Sequence, residues 1–223
     1  MGKRISFLVP TTSKNRDWKT FSDTYLSQIL LPSISKLHDY DVEVYIGYDT
    51  IDPLYSTIEL PQYFNNVKLK WFLFIDEYQG KPTWIWNELA MYALNDGHDY
   101  FQVCGDDITF DKRTEWLGIF LKNLKHNNNI GYVAGYSNNT QIPTQFLFHK
   151  THLDIFGFIF PPQIWNWYCD NFIADLYGDK GIWIKEYNHL NVGGEPRYTP
   201  KNDKQLCHLL VKRYKKVLKS YLK

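Results

Sequence analysis

The sequence predicts an α/β protein, a single domain on a mixed, mostly parallel sheet with helices on both faces. Three observations carry this expectation. Short apolar runs bounded by turn residues alternate with segments of helical period along the chain. A length of 223 residues suits one core rather than two. A composition 44% hydrophobic and 22% charged is that of a globular protein, not of a disordered or fibrous one.

Ile5-Ser6-Phe7-Leu8-Val9 is the first strand, closed by Pro10. Apolar residues at Phe21, Tyr25, Ile29, Ile34 and Leu37 form a helical stripe interrupted near Pro32. Val42-Glu43-Val44-Tyr45-Ile46-Gly47 is the second strand, 67–75 reads as another, and 83–94 as a helix. Tyr100-Phe101-Gln102-Val103-Cys104 is a strand that stops at Gly105 and is expected to be central. Residues 111–125 read as a helix with Asp111 as its N-cap and Trp116, Ile119, Phe120 and Leu124 inward. Strands are expected at 130–134 and 145–148. Beyond 151 the pattern changes: Pro161-Pro162 leads into an aromatic-rich helix over 164–177, a short strand at 183–187, a Gly/Pro loop at 191–200 and a closing helix over 203–222.

Lys+Arg of 25 against Asp+Glu of 24 leaves a net charge of +1, so no global field gathers nucleic acid and any phosphate binding must be local. Aromatic residues at 17% are the unusual feature; their flat rings suit sugar and base faces and equally fill cores. Cys104, Cys169 and Cys207 are too few and too scattered for a disulfide framework or a zinc site and fit a reducing compartment. No signal-peptide pattern opens the chain and no segment has the apolar length of a membrane span, so a cytoplasmic protein is expected. The closing helix, with lysines between its apolar positions, is expected to dock on the domain, with weak membrane-surface contact as a secondary role. The abundance of Asn, Lys, Ile and Tyr points to an AT-rich genome such as that of a large virus or a protist.

The strongest chemical signal is the end of the 100–104 strand, where Gly105-Asp106-Asp107 presents two adjacent carboxylates. Hard oxygen ligands at the carboxyl end of a strand suit a Mg²⁺ or Mn²⁺ that bridges a diphosphate, and open α/β sheets bind ligands at that edge. A solvated Asp-Asp turn is the plainer alternative. The chain resembles the GT-A (Rossmann-like) glycosyltransferases, particularly family-2-like nucleotide-diphospho-sugar transferases, and Gly105-Asp106-Asp107 resembles the degenerate "xDD" form of their DxD motif. That resemblance implies Asp107 as metal ligand and Asp106 as a contact to the donor.

The resemblance also assigns a nucleotide-sugar-binding half to 1–110, an acceptor half to 111–200 and a C-terminal helix to 201–223. Val9-Pro10-Thr11-Thr12-Ser13-Lys14-Asn15-Arg16 resembles the segment that cradles the nucleotide, which implies contacts from Pro10, Thr11 and Arg16. Asp49, with Asp52 as competitor, falls where the base or ribose is bound, and Lys81 and Asn87 fall where relatives contact base or phosphate. Asn166-Trp167-Tyr168-Cys169-Asp170-Asn171 looks like the segment that presents the general base, so Asp170 is the expected catalytic residue, with Asp175 and Asp179 as fallbacks. His189 resembles the histidine that completes the metal site. Trp165, Trp167 and Tyr168 are expected to stack on the acceptor, Gly193 and Gly194 to hinge a lid over the donor, and Arg197 to help bind the diphosphate.

The function so implied is metal-dependent transfer of a sugar from a nucleotide-diphosphate donor, a UDP-sugar first, to a carbohydrate or glycoprotein hydroxyl with inversion. The Asp170-Asn171 pair stands where many relatives have two acids, which keeps open a catalytically inactive nucleotide-sugar- or carbohydrate-binding module. A polymerase palm also carries Gly-Asp-Asp, but it needs a second aspartate strand, fingers, thumb and a basic channel that this chain lacks.

Overall fold

The computed structural model describes residues 4–194 and 197–223. Among them eight strands form one sheet in the order β3-β4-β2-β1-β5-β8-β7-β9: β1 (Arg4–Pro10), β2 (Asp41–Asp49), β3 (Tyr63–Phe64), β4 (Val67–Phe74), β5 (Tyr100–Val103), β7 (Tyr132–Tyr136), β8 (Phe146–His149) and β9 (Gly181–Asn188). Strands β4, β2, β1 and β5 run parallel, β8 runs antiparallel between β5 and β7, and β7 and β9 are parallel. The expected mixed, mostly parallel sheet is therefore present, with β5 inside it.

Both faces are covered, and the period-2 alternation of strand side chains divides the core in two. In β1, Ile5, Phe7 and Val9 enter one cluster while Leu8 enters the other; in β2, Val44 and Ile46 take the first side and Tyr45 the second. The first face is covered by the helical turns of 21–34 and by α3 (Trp116–His126). The second is covered by α2 (Pro82–Asn95), α4 (Thr151–Phe156), α5 (Cys169–Tyr177) and α6 (Lys204–Tyr221). Asp203 caps α6, accepting from the Leu206 N–H at 2.9 Å. The chain leaves β1 for β2 across the first face and reaches β5 through α2 on the second, so the strand order reverses between β1 and β5. A crevice outside their carboxyl ends follows from that reversal.

Four local expectations change. The stripe over 21–37 is not one helix but a 3-10 turn (Phe21–Asp23), a π turn (Leu26–Leu30) and the short α1 (Leu31–Ile34), which Pro32 can only begin, having no N–H to donate. Asp111 is not an N-cap: α3 starts at Trp116, and the Asp111 carboxylate accepts from the Arg113 side chain at 2.9 Å and from the Asn188 N–H at 2.9 Å, tying the loop to β9. The helix expected over 164–177 is confined to α5, because Tyr168 holds a left-handed φ of 69° and Asn166 uses its side chain to bind neighbouring backbone. The short helix α4, ended by Gly157 at φ 78°, was not expected.

Candidate active site

The crevice is a cleft of about 290 Å³, lined by the ends of β1, β2 and β5, the start of α2, the start of α5 and by Asn191, Gly194, Arg197 and Tyr198. Its volume is near the lower end for small-molecule sites. Pro10, Thr11, Asp49, Lys81, Asp106, Asp107 and Asp170 all line it, and Arg197 does too. Residues 195–196 of the expected lid lie outside the described residues.

The two motif carboxylates have different environments. Asp106 is fully buried and accepts hydrogen bonds from Thr11 Oγ1 at 2.6 Å and from both terminal nitrogens of Arg197, one of them at 2.8 Å. Arg197 also donates to the Thr12 carbonyl at 2.6 Å. Both oxygens of Asp106 are thus engaged inside the protein. Asp106 thus lines the cleft while it anchors Arg197, the pairing that a buried carboxylate requires.

Asp107 is only half-buried and, among the described residues, forms no salt bridge. It accepts from Asn191 Nδ2 at 3.2 Å, and its carbonyl accepts from the Val192 N–H at 3.0 Å. Burial, and then the neighbouring Asp106 charge, push its carboxyl up to about 6. The two-stranded pairing of β6 (Ile108–Thr109) with β10 (Leu190–Asn191) sets Asn191 opposite Ile108 and so brings it to Asp107. A methyl group added at Gly193 would lie 2.3 Å from Asp107 Cβ, and one added at Gly105 would lie 2.7 Å from Asp107 Oδ1. Only glycine admits this close approach at either position.

Asp170 opens α5 and faces the same cleft; burial pushes its carboxyl up to about 6, and the Cys169 thiol donates to it at 3.4 Å. Asp175 and Asp179 are exposed and line no part of the cleft. At the β2 end Asp49 lines the cleft, whereas Asp52 is spent on the loop, accepting from Ser13 N at 2.7 Å, Thr12 Oγ1 at 2.9 Å and Tyr55 N at 2.8 Å. Asp49 is therefore the one left free for a ligand.

Several expected contacts lie elsewhere. His189 does not reach Asp107: it is caged by Phe110, Trp116 and Phe120, with ring centroids 4.8, 4.5 and 5.2 Å away. Among the described residues neither ring nitrogen has a hydrogen-bond partner, and burial lowers its pKa to about 3. The aromatic side chains of α3 and of 110 hold it in the cluster on the face of the sheet opposite α2, so the expected place of His189 beside Asp107 is not what the structure shows. Replacing His189 by phenylalanine should cost at most about 2 kcal/mol of stability, the range of a tolerated core change, and leave nucleotide release within about twofold; a hundredfold loss would return this residue to the metal.

Asn87 is a clamp rather than a nucleotide contact, donating to the Phe160 carbonyl at 2.8 Å and accepting from the Ile159 and Phe160 N–H groups at 2.9 and 3.0 Å. Arg16 stands behind the cleft wall, over the Tyr25 ring at 5.1 Å and 3.4 Å from the Gly193 carbonyl. Trp165 and Trp167 are exposed, but Lys81 and Lys201 already occupy Trp165, and Tyr168 packs towards the core as the residue that begins α5.

Among the residues not foreseen, Asn191 and Tyr198 line the cleft. Trp86 bridges the parting strands, its indole N–H 3.0 Å from the Leu8 carbonyl and 3.2 Å from that of Cys104. Trp86 was legible only as one apolar residue of a helical stripe, and Asn191 only as part of a Gly-rich loop.

Among the described residues no group of three or more His, Cys, Asp or Glu is arranged to hold a metal ion. The chemistry of Asp107 still fits a hard divalent cation, which needs one or two carboxylates when phosphate oxygens and water complete its shell. No helix among the described residues is long and apolar enough to cross a membrane.

No protein-family model and no curated protein sequence matches the chain. Solved structures do. S. aureus TarS 1-349 in complex with UDP-GlcNAc superimposes with a TM-score of 0.63 at 16% identity, over 95% of this chain and 66% of that one. TarS 1-349 without a named ligand gives 0.56 at 17% identity, over 83% and 60%. The mannosyltransferase PcManGT from Pyrobaculum calidifontis, in complex with GDP-Man and Mn²⁺, gives 0.57 at 13% identity, over 99% and 74%. The chain thus spans slightly less than two thirds of these TarS chains, and at such identities the likeness is one of fold. With the strand reversal, the carboxyl-edge cleft and these superpositions together, the chain has the α/β, GT-A-like fold of nucleotide-diphospho-sugar glycosyltransferases.

Proposed function

We propose that this chain is a metal-dependent glycosyltransferase that moves a sugar from a nucleotide-diphosphate donor, a UDP-sugar first, to a hydroxyl acceptor with inversion at the anomeric carbon. The observation that carries the reading is that Asp107 and Asp170, from separate segments of the chain, line one cleft, each with its carboxyl pushed up to about 6. Perturbed carboxylates converging in a cleft are what acid-base and metal chemistry require.

In this reading Pro10, Thr11, Asp49 and Lys81 hold the nucleotide, Asp107 binds Mn²⁺ or Mg²⁺ together with the diphosphate, and Arg197 closes the loop over them. The cation, when bound, offsets the negative charge that develops on the leaving diphosphate. Asp170 accepts the proton of the acceptor hydroxyl; a carboxylate held near neutrality is a better base than one at its ordinary value of about 4. The division into a donor half, an acceptor half and a closing helix belongs to the same reading.

The test is incubation with Mn²⁺ or Mg²⁺ and a panel of UDP-, GDP- and TDP-sugars, with nucleotide release as the readout. Release that requires the cation supports the proposal. Binding without release favours the inactive module, and no binding at all removes both.

Asp170 must be ionised to take the proton, so activity is lost as pH falls through its raised value, and the acid limb of kcat/KM should bend near pH 6. A limb near pH 4, the ordinary carboxylate range, would remove Asp170 from the base role.

A further inference from the structure

Residues 204–223 hold seven of the chain's 25 Lys and Arg and none of its 24 Asp and Glu, so the rest of the chain carries a net −6 against a total of +1. An asymmetry of this size sets up a local field that the total charge conceals. Helical spacing sorts α6 into two faces. Cys207, Leu210, Val211, Tyr214 and Leu218 pack into the core against α4 and α5. On the opposite face Leu209, Lys212, Arg213, Lys216 and Lys219 are all exposed.

The protein itself does not answer these cations. Among the described residues none of the seven forms a salt bridge, although Lys70, Lys150 and Arg197 do so elsewhere. Five pairs of them within α6 stand three or four positions apart, as Lys212 with Lys216 and Lys215 with Lys219. Like charges at that spacing weaken a helix. The helix dipole offsets the repulsion near the last turn, where Lys219 stands, but not at Lys212 and Arg213 in the middle. One side of α6 is thus kept basic against its own repulsion, which an anionic surface laid along that side would relieve.

The exposed apolar side chains among the cations select the kind of surface. Leu209 is 67% exposed on the basic face, and Tyr221 at 53% and Leu222 at 41% follow at the end of α6. A bilayer takes such side chains in below its headgroups and holds tyrosine at the interface, whereas a phosphodiester backbone gains nothing from an isolated leucine. We propose that the outward face of α6 docks the protein on an anionic lipid bilayer, with its lysines and arginine meeting the lipid phosphates and Leu209 entering between the headgroups. The helix lies on the bilayer and does not span it, being too short of apolar residues to do so. The proposal concerns binding and not turnover, so it stands or falls independently of the glycosyltransferase reading.

The experiment is co-sedimentation of the full chain with vesicles of phosphatidylcholine alone and of phosphatidylcholine with about 30% phosphatidylglycerol. Binding to the anionic vesicles should exceed binding to the neutral ones by roughly tenfold or more at about 50 mM KCl, and most of the excess should vanish at about 500 mM. Lys212→Glu combined with Lys216→Glu should reduce binding to the level of neutral vesicles, whereas Lys212→Arg combined with Lys216→Arg should keep it. Leu209→Ser should weaken it several-fold at unchanged charge. The salt series uses the unmodified chain, so it tests the proposal even where a variant folds poorly.

Equal sedimentation with neutral and anionic vesicles, or with neither, overturns the proposal. Binding that survives the glutamate pair does so as well, because the basic face is then not the contact. Unchanged binding by Leu209→Ser overturns the choice of a bilayer over any other polyanion. A nucleic-acid duplex that binds more tightly than the anionic vesicles and displaces the protein from them also overturns it, and assigns the face to nucleic acid instead.

Discussion

Asp170→Asn should lower kcat about a thousandfold, within the range a general base supplies, while donor KM changes little. Among the described residues four carboxylates line the cleft: Asp49 ends β2, Asp106 is locked to Arg197, Asp107 faces Asn191 and Gly193, and Asp170 stands at the start of α5. Asparagine preserves shape and removes the proton acceptor, so single-turnover kinetics on a bound donor should show the loss in the chemical step. A variant that keeps its full rate would leave the cleft without a base and favour retention at C1.

The second large effect is expected at Asp107. Asp107→Ala should abolish cation-dependent nucleotide release, by about a thousandfold if it supplies one electrostatic contact to the leaving group. Release that survives this change would put the metal elsewhere. The same substitution should not destabilise the protein at neutral pH. A carboxylate whose pKa rises on folding binds its proton more tightly in the native state, so its presence costs stability as pH climbs from about 4 to about 6 and above. Removing Asp107 relieves that cost and the repulsion with Asp106. Thermal unfolding of both proteins at pH 7 should give an equal or higher Tm for the variant, a pattern common where a site is maintained against stability.

Much of 1–110 was readable because it is local. β1, β2 and β5 are apolar runs stopped by Pro10, by Asp49 and by Gly105, and a strand that stops in polar residues presents them at the sheet edge whatever lies around it. That Asp107, Asp49 and Thr11 lie at this edge agrees with that rule, while the roles given to them come from the resemblance. The readings that failed depended on partners far along the chain. A histidine between a strand and a glycine-rich loop looks like a ligand until Phe110, Trp116 and Phe120 enclose it. An asparagine in a helix before a DxD-type strand looks like a phosphate contact until the chain returns at Phe160. The aromatic run of 164–168 has helical spacing, yet Asn166 finds better partners in Gly80 and Thr199 than in a helix.

By itself, then, the sequence determined the class of fold, the order of its strands and helices, and which strand ends carry acids, since these depend on periodicity and on the stop signals within each segment. Only the tertiary structure decided the surroundings of the two aspartates of Gly105-Asp106-Asp107: Asp106 is fully buried against Arg197, about ninety residues away in sequence, while Asp107 is half-buried beside Asn191, and pairings between segments so far apart leave no local pattern to read.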